Sequence, residues 1–252
     1  RGVGGMETAF RATWQSGQGG PSIGILCEYD ALEGMGHACG HHLQGPAAVG
    51  AACALKELGQ GNFKIVVYGT PSEEVRGGKI IMLDHGCFQD IDVALMSHAA
   101  PTTCTDVKCI SSINCTVTFR GISAHAAMNP EQGRSALDAL LLAFQGVEFL
   151  REHVLEDTRM HYTVLNAGGP SNVVPGVAVG DFCLRSYNGA YLESLIGRFE
   201  NIIKGAALMS GVDYEIQRGL TFMSKIPVLK LNDLLMENAK LVHAPQISPP
   251  RQ

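Results

Sequence analysis

Short apolar runs alternate with helical patterns through the first hundred residues. The runs at 22–27 (SIGILC), 63–68 (FKIVVY) and 91–96 (IDVALM) are brief and rich in β-branched residues, as buried strands are. Between them, the Ala-rich 45–58 and the segment 79–85, which follows a Gly-Gly pair, read as helices. Strand and helix in alternation predict a mostly parallel sheet with helices on its faces.

The pattern then changes. Residues 113–120 (INCTVTFR) alternate apolar and polar, as a strand with one solvated face does. A long amphipathic helix is predicted over 135–153, with Leu137, Leu140, Leu141, Phe144, Val147 and Leu150 at helical spacing. Strands over 162–166 and 177–185, a helix over 192–209 and a strand over 212–217 complete the order βαββαβ, a ferredoxin-like α+β sandwich. A helix over 231–242 reads as a return to the first domain. The expected fold class is therefore α/β, a mostly parallel-sheet domain interrupted by the sandwich, with divisions at 1–110, 111–220 and 221–252. The Pro-rich 245–252 reads as disordered or as a truncation edge.

Composition narrows the partners. With 46% apolar and 17% charged residues in a chain of 252, this is a folded globule. A net charge of −5 supplies no basic field for phosphate backbones, which argues against nucleic acid. No apolar run approaches the roughly 18 residues that cross a bilayer. The first ten residues lack the charged-then-apolar order of a signal peptide, and the chain does not begin with Met, as a fragment would not. Eight scattered cysteines suit a reducing compartment better than a disulfide framework, so a cytoplasmic location is expected.

Candidate chemistry gathers at the strand ends. Gly36-His-Ala-Cys-Gly-His-His42 packs one thiol and three imidazoles into a loop between the strand ending near Asp30 and the helix starting near Gly45. Thiolate and imidazole are preferred ligands of zinc-like ions, and a helix N-terminus would favour a Cys39 thiolate. Glu73-Glu74 follows FKIVVY, and His98 follows IDVALM. Adjacent carboxylates repel each other, and a cation relieves that cost while splitting their roles between ligand and base. Read alone, the Glu pair could cap a helix in solvent, and His98 could sit in a polar turn. Three strands delivering such residues to one sheet edge is the argument for a shared site. Asp30 could join as a ligand or orient a histidine. No Gly-x-Ser-x-Gly elbow and no phosphate loop is present.

Three motifs in this order, CEYDALEGMGHACGH at 27–41, GTPSEE at 69–74 and SAHAA at 123–127, resemble the aminoacylase/carboxypeptidase family of two-metal peptidases. Within it, the chain looks most like the amidohydrolase branch, and CEYDAL with GHACGH looks closest to Xaa-Arg dipeptidase-like members. The resemblance implies a catalytic domain interrupted by a lid that forms a homodimer. It implies a small-molecule substrate, a dipeptide or an N-acyl amino acid. It also implies two divalent ions held by Cys39, His41, Glu74 and His98, zinc being favoured by the thiolate and manganese the alternative. Glu73 would be the general base that activates a metal-bridging water. His125 would stabilise the oxyanion, and Asn172 and Arg185 would bind substrate oxygens. Arg185 read alone is equally a surface strand charge, and His125 a turn residue.

The resemblance implies a further His ligand after the lid. The later His243, in LVHAP, does not match its context, so the catalytic domain is expected to be incomplete at both ends. The alternative function is thus a catalytically inactive, lid-mediated dimer. A one-metal deaminase-like hydrolase is a third reading, opposed by the lack of Pro-Cys-x-x-Cys.

Overall fold

A computed structural model describes residues 1–105 and 107–245. The chain divides into two units: Arg1–Cys104 with the chain from Glu237 onward, and Thr105–Met236. The Pro-rich expectation beyond Pro245 lies outside the described residues.

The first unit holds a four-stranded sheet of β1 (Phe10–Ser16), β2 (Ser22–Cys27), β3 (Phe63–Gly69) and β4 (Val93–Leu95), in the order β1-β3-β2-β4. Strands β2, β3 and β4 run parallel, and β1 lies antiparallel on the edge. Strand β3 is central because its side chains are apolar on both faces. Phe63, Ile65 and Val67 pack with Cys27, Ala48 and Leu55, while Val66 and Tyr68 pack with Ala9, Met82 and Phe88. Helix α1 (Gln44–Leu58) serves the first of these faces, and Met82 of α3 (Gly78–Asp84) serves the second. Between β3 and α3 lies the one-turn α2 (Glu73–Arg76). Strand β1 differs from the sequence reading, which places no strand before Ser22. FRATWQS mixes charged and polar residues with apolar ones because an edge strand is mostly exposed, so it lacks the continuous apolar signature of its neighbours.

The second unit has the expected βαββαβ order. Strands β5 (Ser111–Arg120), β6 (Arg159–Asn166), β7 (Val177–Ser186) and β8 (Asp213–Arg218) form an antiparallel sheet in the order β6-β7-β5-β8. Helices α4 (Ala136–Arg151) and α5 (Gly189–Ser210) cover it. Alternate residues of β5, Ile113, Cys115, Val117 and Phe119, are buried against Leu140, Phe144 and Val147 of α4 and Ile196, Phe199 and Ile203 of α5. Both helices start on side-chain caps. Ser135 Oγ accepts from the Asp138 N–H, and Asn188 Oδ1 from the Tyr191 N–H. The boundary between units falls inside α6 (Leu229–Leu241). Among the described residues, no helix is long and apolar enough to cross a membrane. All eight cysteines are free.

Candidate metal centre

Backbone constraints bring four segments of the first unit together. The chain after β2 carries Glu28 and Asp30, and Asp30 Oδ2 accepts the Glu74 backbone N–H at 3.0 Å. Thr70, just past β3, ties itself to the end of β2 through its N–H and hydroxyl, both donating to the Cys27 carbonyl. Ser72 then takes a left-handed φ of 62°, rare outside glycine, immediately before Glu73. In the loop carrying Cys39 and His41, Gly40 has φ 77°, and a Cβ there would stand 2.7 Å from the Ala99 Cβ. The loop therefore presses its backbone against the segment that carries His98.

His41 is 1% exposed and sits at the centre of the cluster. Its Nδ1 lies 3.0 Å from the Asp30 carbonyl, which can only accept, so the ring proton belongs on Nδ1. Nε2 is then a lone pair. It faces Glu28 Oε2 at 3.2 Å and Glu74 Oε1 at 3.9 Å. His98 is disposed likewise, with Nδ1 at 2.8 Å from the Ala99 carbonyl and Nε2 at 3.8 Å from Glu28 Oε2. Buried His41 Nε2, Glu74 Oε1 and Asp30 Oδ1 have no hydrogen-bond partner. Converging acceptors with no donor among them are what a divalent cation satisfies. Two ligand clusters share His41: Glu28, His41 and His98, and His41, Glu73 and Glu74, with ligand atoms within 4.8 Å in each. The residues present thus fit a metal centre.

Charge distinguishes the carboxylates. Burial, reinforced by Glu28 and Glu74, pushes the Glu73 carboxyl above its ordinary range, against the pull of Lys79. Burial also acts to raise Glu28 and Asp30, but is outweighed. Glu28 is held low by hydrogen bonds from Lys79 and Gln44, and Asp30 by the backbone N–H groups of Glu74 and Glu73. Cys39 stands apart from the other candidates. Its thiol faces Glu74, whose hydrogen bond and charge push its pKa up, with Glu73 and Glu28 adding to the effect. Cys39 belongs to neither tight cluster among the described residues. The sequence reading assigns no role to Glu28, Gln44 or Lys79. The one signal for Glu28 is an acidic residue directly after an apolar strand.

The remaining candidates lie in the second unit. His125 pairs with Val173 in a β-bridge, and the Ala126 N–H donates to the Asn172 carbonyl at 3.0 Å, so His125 and Asn172 occupy adjoining loops. These loops border a cavity of ≈ 490 Å³ whose walls include Ser123, Asn166 and Val173. Arg185 is apart from that pair along the chain, on exposed β7 positions beside Arg159 of β6. Its Nε lies 3.2 Å from Cys183 Sγ.

Comparison with known proteins agrees with this architecture. Residues 111–208 match the peptidase dimerisation domain. The chain is 37% identical to one of the component chains of p-aminobenzoyl-glutamate hydrolase from Escherichia coli K12, over 94% of this chain and 53% of that one. It is 34% identical to the human Xaa-Arg dipeptidase, over 93% of this chain and 57% of that one. The chain thus spans little more than half the length of these relatives. Among solved structures, a putative aminohydrolase from methicillin-resistant Staphylococcus aureus aligns with TM-score 0.78 at 20% identity, over 96% of this chain and 70% of that one. A Bacillus subtilis protein described as a dinuclear metal-binding peptidase aligns at 0.69 and 17% identity, over 94% and 67%. These two share the fold. With its dimerisation domain, its α/β architecture and its curated relatives taken together, the chain belongs to the M20 family of peptidases and amidohydrolases.

Proposed function

We propose that this chain is a metal-dependent hydrolase that cleaves the amide bond of dipeptides or N-acyl amino acids. The observation that carries the reading is the buried lone pair of His41 Nε2, unpartnered and facing Glu74, beside a Glu73 carboxyl whose pKa is raised. Cys39, His41, Glu74 and His98 would hold two divalent ions, zinc favoured by thiol and imidazole donors and manganese the alternative. Bound there, such ions supply Lewis-acid polarisation of the scissile carbonyl and acidify water.

The protein's own groups do the rest. Glu73 takes a proton from the attacking water and returns it to the leaving amine, a task suited to a carboxyl of raised pKa. Glu74 is held out of that role, because its N–H is clamped by Asp30 and its Oε1 is aimed at His41. Cys39 joins as a ligand by giving up its thiol proton. His125 contributes to the oxyanion, and Asn172 and Arg185 contact substrate oxygens. In the same reading, 1–110 and 221–252 form one catalytic domain around a lid at 111–220, and the lid joins two copies. Free cysteines suit a cytoplasmic setting.

Glu73→Gln decides the matter. It should retain two tightly bound ions per chain while kcat on dipeptides or acyl-amino acids drops by about 10²–10⁴. Wild-type rates in that variant would sink the proposal. Fewer than two sites in a wild type that turns over none of these substrates would instead support the inactive dimer.

A further inference from the structure

The Glu28 carboxylate is 2% exposed and lies in the CEYDAL run, which assigns it no role. Its surroundings fix it from two sides. Gln44, the first residue of α1, grips it twice: the Glu28 N–H donates to Gln44 Oε1 at 3.1 Å, and Gln44 Nε2 donates to Glu28 Oε2 at 2.8 Å. Lys79, in the first turn of α3, donates to the other oxygen, Oε1. Oε2 is thereby aimed at His41 Nε2 and His98 Nε2, at 3.2 and 3.8 Å. Both rings commit their Nδ1 protons to backbone carbonyls, so three acceptor atoms face one another. Lys79 lies on the far oxygen and Gln44 reaches Oε2 alone, so neither supplies a donor to the imidazole nitrogens. The orphaned, fully buried His41 Nε2 points into this gap.

We infer that Glu28 Oε2 is a metal ligand, completing with His41 and His98 the coordination of one ion, and that Lys79 and Gln44 are positioning residues that set its angle. The inference rests on the metal centre proposed above, and it adds a carboxylate to which the motifs assign no role. Outer residues that orient a ligand commonly change metal affinity by about 10–100-fold when lost, and a ligand itself should do no less.

The test is titration of the whole chain with Zn²⁺ by calorimetry, followed by visible spectroscopy of the Co²⁺-loaded form. Glu28→Gln should weaken one of the two sites by at least about 10-fold and shift the Co²⁺ bands. Glu28→Gln leaves Lys79 without its counter-charge, so the double variant Glu28→Gln/Lys79→Met is measured beside it, with circular dichroism reporting the fold. A folded double variant with the same loss of affinity supports the assignment. Unchanged affinity in a folded variant overturns it. Weaker binding with an unaltered Co²⁺ spectrum also overturns it, since Glu28 would then act through charge alone. A wild-type chain that binds no ion would defeat the proposed function itself, a result distinct from either of these.

Discussion

Gly40 shows how little freedom a single position in the centre has. It combines a φ of 77° with a would-be Cβ 2.7 Å from the Ala99 Cβ. Alanine there would carry the left-handed penalty of about 1 kcal/mol and push on the residue next to His98. Gly40→Ala should lower the melting temperature and weaken metal binding. Gly45→Ala, in a helix with nothing within 4 Å of its Cβ, should leave metal binding intact and slightly raise stability. Equal effects in calorimetry would mean that the loop tolerates the displacement. Asp157 makes a pH-dependent contribution away from the centre. Its Oδ2 accepts the Tyr187 N–H at 2.6 Å and the Ser186 hydroxyl at 3.1 Å, which together hold its carboxyl below the ordinary range against the opposing effect of burial. A depressed folded pKa contributes stability that is fully present above the ordinary aspartate value and lost as pH falls through the folded one. The melting-temperature gap between wild type and Asp157→Asn should therefore be constant near neutrality and close below about pH 4. Single residues of unusual type at strand ends, such as Cys39, His41 and His98, were legible in the sequence. Glu28, Gln44 and Lys79 were not, because their roles exist only where three distant segments meet.

Elements with one buried face were read well, for a physical reason. Helices α4 and α5 and strands β5 and β7 each carry a clear apolar period, and each buries it in one shared core. Strand β1 shows apolar residues only at Phe10, Ala12 and Trp14; Phe10 and Trp14 pack on the core that holds Phe63, while its backbone pairs with β3 from Phe10 through Ser16. Strand β4 shrank to three residues, since it pairs with β2 only over Val93, Ala94 and Leu95. Helices α4 and α5 start at side-chain caps. Asn188→Ala removes the acceptor for the Tyr191 N–H at the start of α5 and should cost about 1 kcal/mol, measured by chemical denaturation. The substitution lies in the second unit, so Zn²⁺ affinity of the first unit's cluster should not change. A shift in that affinity would show that the cap does more than start a helix.

At the scale of the molecule, the second unit ends its sheet on β6, whose outer edge has no neighbouring strand among the described residues. The strand is long for an edge and exposed along most of its length, with Tyr162 37%, Val164 45% and Leu165 60% exposed. An open apolar edge of this kind invites strand addition unless something covers it. The match of residues 111–208 to a peptidase dimerisation domain points to a second copy as the cover. Two antiparallel β6 strands around a twofold axis would join the sheets and bury Val164 and Leu165 against their counterparts. Because both side chains are exposed in the single chain, charge at these positions should leave the fold intact and act on assembly alone. Val164→Lys/Leu165→Lys should therefore convert a dimer to a monomer by light scattering at micromolar concentration, with unchanged circular dichroism. A double variant that stays dimeric would move the interface off β6.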